Sequence, residues 1–394
     1  MPALLRRRAL LPGALALPAL ARAQAPAEWR VGCVFPLGSL LGDEAMRGVE
    51  LAAEERNAQG GIAGRPLRLI RADAADAAQG LTEARRLLQG ERCALLLGAV
   101  TAPLALAAAQ AADAAETPFV ELAVTAESLT DRGFRHLIRS GSRAADFGTM
   151  TAAALLRLVA PELAQPADAL RCAILHEASP SPESIAEGQD ARLREAGIVV
   201  AERVAYAPRS PEIPALVQRL RAAGVAVLLH AGGEADIAAL LRAMQDAAWR
   251  PRVVIGSGSA WGLDDLARAA GPALEGCLVL DAPPLASADA FAPGARAFAE
   301  AYQRRWGSLP RAGLSFSAYA GARQAFAAPT LDRAAFRTAL NALDLPAGGL
   351  PNGWGWRLDD RGQNQRAQPV LAQWQGGRPA TVFPAEAAVA RVAL

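Results

Sequence analysis

The 394-residue sequence contains no lysine, and all 41 of its basic side chains are arginine. With the abundant alanine, this reads as the mark of a GC-rich genome. It does not read as a phosphate-gripping surface, because no basic arm or stripe runs through the chain and nucleic acid is not an expected partner. Cysteine is scarce as well. Cys33, Cys93, Cys172 and Cys277 are widely spaced and match neither a zinc site nor a small disulfide scaffold. Each sits in a short apolar run, as a buried thiol does, with a Cys33–Cys93 bridge between nearby strands left open. There is no Gly-x-Ser-x-Gly elbow, no Gly-x-Gly-x-x-Gly opening a helix after a strand, and no P-loop. Neither an enzyme nucleophile with its base nor a cofactor site is visible. Of three histidines, His176 and His230 are expected to end strands and to face any cleft there. Their spacing to Glu177 and Glu234 carries no metal-ligand signature, and no metal is expected.

No apolar run is long enough to cross a membrane as a helix. The nearest, residues 9–20, is short and broken by Pro12 and Pro18. It follows Arg6-Arg7-Arg8 and leads to Ala21-Arg22-Ala23 before Gln24, the pattern of a cleavable secretory signal over residues 1–23. Arg7-Arg8-Ala9-Leu10-Leu11 also bears a weak likeness to a twin-arginine signal, and no cysteine follows the cleavage site to carry a lipid. Loss of four arginines with this segment turns the formal charge of +2 into about −2.

What the sequence does hold is a long alternation. At 52% hydrophobic and 20% charged residues the chain is globular, and its length suits two lobes. An apolar run at 29–36 reads as a first strand. The stretch from Gly42 to Arg65 reads as a helix with Asp43 and Glu44 at its N-terminus and Gly60-Gly61 ending it. Strands at 66–72, 93–97, 118–120 and 135–139 then alternate with helices at 77–88 and 103–115. A second series runs from a helix at 145–159 to a strand at 252–255. Continuous apolar strands alternating with helices predict parallel sheets covered on both faces. The fold class is therefore α/β, two doubly wound lobes joined by a multi-strand hinge. The expected division gives residues 24–140 and 277–345 to the first lobe, and 141–276 and 346–394 to the second.

In open α/β sheets, ligands bind beyond the carboxyl ends of the strands. That rule selects the loops carrying Thr101, Ala102, Ala123 and Thr125 in the first lobe. In the second it selects those carrying Glu177, Gly233, Glu234, Ser257, Ser259 and Trp261. Thr101 precedes a helix start at Pro103, where backbone N–H groups and a hydroxyl can hold a carboxylate, although a threonine there can equally serve as a cap. Trp261 is expected to cover an apolar or planar part of the ligand, with a packed loop residue as the alternative.

The segment from Gly42 to Arg65, with its Asn57-Ala58-Gln59-Gly60-Gly61-Ile62-Ala63-Gly64, resembles the signature of branched-chain amino-acid binding proteins. These are substrate-binding subunits of ABC importers with the type I periplasmic-binding-protein fold. Ala123-Val124-Thr125-Ala126-Glu127-Ser128-Leu129-Thr130, Ala318-Tyr319-Ala320, and Leu358-Asp359-Asp360-Arg361-Gly362-Gln363-Asn364 followed by Gln373-Trp374-Gln375-Gly376-Gly377 are similar to later family segments. The resemblance implies a periplasmic monomer that captures a small carboxylate- or amide-bearing ligand by hinge closure and delivers it to a membrane ABC permease. It further implies that Thr101 and Thr125 fix a ligand carboxylate and that the Ala123 carbonyl accepts from an ammonium. Two family features are missing: the ammonium-binding glutamate expected near Gly258, and aromatic side chains near Ile185 and Gly233. Glu177 or Glu234 stands as a substitute for the former, and a ligand without an amine fits as well. A ligand-sensing receptor domain of the same fold is the alternative, with a secreted hydrolase or dehydrogenase behind it.

Overall fold

The computed structural model describes residues 28–394, so the expected signal segment lies outside the described residues. The first sheet contains β1 (Trp29–Phe35), β2 (Leu67–Asp73), β3 (Leu95–Gly98), β4 (Phe119–Glu121) and β5 (Leu137–Arg139). All are parallel, in the order β2-β1-β3-β4-β5. Between them run the helices α1 (Leu40–Ala58), α2 (Ala77–Arg85), α3 (Ala102–Ala114) and the short α4 (Ser128–Asp131). Alternate residues of β1 enter different cores. Val31, Cys33 and Phe35 pack with α1, whereas Val34 packs with α2 and α3.

The second lobe repeats this plan. It begins with α5 (Ala144–Ala154) and α6 (Ala160–Glu162). It continues through β6 (Cys172–Glu177), α7 (Pro180–Glu195), β7 (Val200–Tyr206), α8 (Ile213–Ala222), β8 (Val227–Ala231), α9 (Glu234–Asp246), β9 (Val253–Ser257), α10 (Asp264–Ala270) and β10 (Leu278–Asp281). Its parallel strands run β10-β9-β8-β6-β7, the mirror listing of the first sheet's order. Each sheet therefore has one switch point, between β1 and β3 and between β6 and β8. The chain closes with α11 (Ala295–Trp306), α12 (Leu314–Phe326), α13 (Arg333–Asn341) and the antiparallel pair β11 (Val370–Gln375) and β12 (Arg378–Phe383), which extends the second sheet beside β10.

This arrangement moves two expected boundaries. The strand at 278–281 was expected in the first lobe, but it pairs with β9 and β11 in the second sheet, so the chain crosses back only after Asp281. The return at 346 is also too early. Residues 354–364 form no sheet strand. They make isolated bridges, Leu345 with Trp356 and Leu358 with Asn364, and Gln363 bridges Arg139 at the edge of the first sheet. The buried Arg139 guanidinium joins Gln363, the Ala126 carbonyl (2.7 Å) and the Thr130 hydroxyl (2.8 Å). The chain thus re-enters the second sheet at β11. Three crossings join the lobes, near 140–143, 282–294 and 365–369.

The first helix is punctuated as the sequence suggests, with a shift. It starts at Leu40, capped by the Ser39 hydroxyl accepting from Gly42 N–H at 3.1 Å, and Asp43 lies in its first turn. Glu44 is not at the open helix end. It is fully buried and accepts from the Tyr302 hydroxyl at 2.7 Å, tying α1 to α11. Gly60 and Gly61 end the helix with φ of +92° and +74°. All four cysteines are free and buried, so no Cys33–Cys93 bridge forms.

Candidate functional site

The carboxyl ends of the two sheets face each other across a cleft of about 500 Å³. From the first lobe it is lined by Leu41, 75–77, 100–103, Ala123 and Thr125. From the second it is lined by Glu177, 179–182, Ile185, 231–233, 257–260 and Asp281, with Leu314 of α12 beside them. The residues at both switch points are among them, as the strand order requires.

Thr101 is the N-cap of α3, with its own carbonyl accepting from Ala105 N–H at 2.9 Å, but its side chain makes no capping bond. Pro103 has no N–H, and the first-turn amides of Ala102 and Leu104 have no acceptor within the helix. An exposed hydroxyl and helix-end amides therefore meet at one place, a local environment suited to an anion. Thr125 lies one strand over, and its carbonyl receives Ala144 N–H at 2.9 Å, across the first crossing. Beneath this loop the Glu121 carboxylate accepts from Ala123 N–H and Val124 N–H, both at 2.7 Å. Burial pushes the Glu121 carboxyl up to about 7 against those two bonds and nearby Arg139.

On the opposite wall α7 begins at Pro180, because Ser179 takes the extended N-cap conformation ahead of Pro180. The cleft is therefore faced by a second helix N-terminus. Glu177 lines it and accepts from Gly233 N–H at 3.1 Å, bracing the start of α9. Ser257 and Ser259 also line it. The Ser257 hydroxyl accepts from Gln189 (3.0 Å), which in turn bonds Thr151 (3.0 Å) and so fastens α5 and α7 to β9.

Four expected cleft residues are placed elsewhere. Trp261 is fully buried inside the second lobe, its ring lying over Gly256, where any side chain would overlap it. Its indole N–H donates to His230 Nδ1 at 3.1 Å, and its carbonyl accepts from Trp374 at 2.9 Å. The slot left by Gly256 draws the ring off the cleft wall. His230 is buried in the same network, with Nε2 at 2.8 Å from the Tyr206 hydroxyl. Because the indole can only donate, Nδ1 accepts and Nε2 carries the proton. Burial lowers the His230 pKa to about 3, so the ring is neutral. Glu234 opens α9 on the exposed surface, where the helix N-terminus accommodates its charge, and it does not line the cleft. His176 is buried, its Nδ1 3.1 Å from the Glu177 carbonyl. Among the described residues no cluster of histidine, cysteine or carboxylate side chains is placed to hold a metal.

Asp281 is the cleft residue the sequence reading passed over. It ends β10, and Gly258 N–H bonds the preceding carbonyl of Leu280 at 3.0 Å, so a carboxylate stands beside the glycine-serine turn after all. The strand-end rule selects it once β10 is counted in the second sheet.

Two like-wound α/β lobes with three crossings and a shared strand-end cleft define a two-lobe solute-binding protein. The chain belongs to the periplasmic binding protein family, whose profile matches residues 28–378. Leu/Ile/Val-binding protein homolog 7 of Brucella abortus is 34% identical over 97% of this chain and 98% of its own length. A leucine-binding protein structure from Thermotoga maritima is 19% identical, with a TM-score of 0.77 over 90% of this chain and 97% of that one. A solute-binding protein of an ABC transporter from Rhodopseudomonas palustris BisB5, in complex with 3,4-dihydroxybenzoic acid, is 17% identical with a TM-score of 0.71 over 90% and 96%. The fold is that of a type I periplasmic binding protein.

Proposed function

We propose that this protein captures a small amino-acid-like carboxylate or amide between its lobes, closes on it, and delivers it to a membrane ABC permease. It acts as a monomer in the periplasm after removal of residues 1–23, and it performs no chemistry on the ligand. The observation that carries this reading is the uncommitted Thr101 side chain at the N-terminus of α3, with Thr125 beside it in the same cleft. The ligand carboxylate is held by these hydroxyls and by the amides of the first helical turn. The Leu/Ile/Val-binding relatives support an amino-acid ligand. The neighbour bound to 3,4-dihydroxybenzoic acid supports testing carboxylates that carry no amine.

A thermal-shift panel of amino acids, amides, aromatic acids and dicarboxylates is expected to yield at least one stabilising ligand. Calorimetry of that ligand should show Thr101→Ala weakening binding by roughly 0.5–1.5 kcal/mol. A panel with no stabilised state would contradict the function, and an unchanged affinity would remove Thr101 from the site.

A further inference from the structure

Away from the cleft, the first lobe holds a second recess of about 210 Å³. It lies between the last turns of α1 and α12 and is bounded by residues 349–351. Both helices start at the cleft, where Leu41 and Leu314 line it, and both end at the recess. At a rise of about 1.5 Å per residue, Gln324 lies roughly 15 Å along α12 from Leu314, and Arg56 roughly 22 Å along α1 from Leu41. The two cavities share no lining residue and are separate.

Three charged residues line the recess, Glu55, Arg56 and Arg323. Two of them answer each other. The Glu55 carboxylate accepts from the Tyr319 hydroxyl, 2.8 Å from both oxygens, and lies 3.7 Å from Arg323 Nε. Arg56 is placed differently. Its Nε is buried without a hydrogen-bond partner, and among the described residues no carboxylate pairs with its guanidinium. Gln324, on the facing helix, is only 5% exposed. Its amide can donate twice and accept twice, yet it has no hydrogen-bond partner among the described residues. Polar side chains buried to that depth are ordinarily paired. A cation and an amide therefore stand on the walls of one recess with their bonding capacity unused, beside apolar Ala320, Phe326, Leu350 and Pro351.

We propose that this recess is a second binding site, taking a small monocarboxylic acid whose carboxylate lies on Arg56 and whose further polar oxygen lies on the Gln324 amide. The walls define that chemistry. Arg56 is the one uncompensated charge on them, which suits a single carboxylate, and its planar fork of donors matches one. Gln324 supplies a neutral group for a hydroxyl or carbonyl oxygen. The volume falls below the about 300–1,000 Å³ of pockets for drug-sized ligands, so the acid is short. Small 2-hydroxy and 2-oxo acids have all of these features. The site is independent of what occupies the cleft.

The test is a ligand-detected NMR titration of the purified protein with lactate and pyruvate, and with acetate and inorganic phosphate for comparison. At least one of lactate and pyruvate is expected to bind, and more tightly than acetate. Arg56→Gln should weaken that binding at least about 10-fold. Gln324→Leu should remove the preference over acetate while leaving the protein folded, since it deletes an amide that has no partner to lose. Arg56→Lys keeps the charge without the fork and should retain part of the affinity, which provides a second reading if the glutamine variant does not fold. Binding of neither acid, or binding that survives both Arg56 variants, would overturn the site. A loss in Thr101→Ala without one in the Arg56 variants would place the acid in the cleft and overturn it too. Phosphate binding in the absence of either acid would overturn the ligand class. No cleft ligand enters the experiment, so failure here leaves the proposed function standing.

Discussion

Glu121 shows how a single buried carboxyl shapes the cleft without lining it. One of its oxygens, Oε1, accepts from the Ala123 and Val124 amides and so holds the loop from below, and the carboxyl pKa rises to about 7 from an ordinary 4.5. The folded protein thus holds this proton more tightly than the unfolded chain does. The associated stability is fully present below about pH 4.5 and is lost as pH rises through about 7. Glu121→Gln keeps an acceptor for both amides and cannot ionise. Its melting temperature should fall less than that of the wild type between about pH 5 and pH 8. Parallel melting curves for the two proteins would contradict this role. The place of Thr101 on the cleft wall was legible at this scale because a loop that follows a parallel strand and precedes a helix start lies at the carboxyl end of the sheet. Trp261 was not, because its destination depends on the slot at Gly256 and on acceptors supplied by His230, which lies on another strand. Asp281 was hidden for a related reason: its place in the cleft depends on which sheet its strand joins.

Among the described elements, α1 packs closely on α12. Gly48 meets the Ser315 backbone so closely that a β-carbon there would overlap the carbonyl oxygen. A backbone obstacle cannot rotate away as a side chain can. Gly48→Val should therefore force the helices apart and destabilise the protein by about 1–3 kcal/mol, read by denaturant unfolding. An unchanged unfolding midpoint would show that this contact is not tight in solution. The existence and alternation of strands and helices were legible because doubly covered strands are continuous apolar runs. Helix starts were less so. Ser39 and Ser179 act as N-caps through backbone conformations that composition alone does not fix. The segment at 354–358 has the apolar character of a strand, but it pairs only through single bridges to Leu345 and Asn364, and Gln363 beyond it bridges the edge of the first sheet.

At the scale of the whole molecule, the repeated strand order turns two lobes into two facing sets of strand ends. Thr125 is anchored across the first crossing through the Ala144 amide. The family resemblance and the two-lobe fold were legible from the opening strand-helix-strand unit onward. The lobe boundaries were not, since β10 and the 354–364 segment are assigned by pairing partners distant in sequence. A ligand that touches both lobes favours the closed state, because only contacts that differ between open and closed states shift that balance. Small-angle X-ray scattering of the purified protein, with and without the ligand that stabilises it most in the thermal panel, measures this directly. Hinge closure should give a smaller radius of gyration at saturation, and a scattering curve unchanged by a saturating ligand would contradict closure.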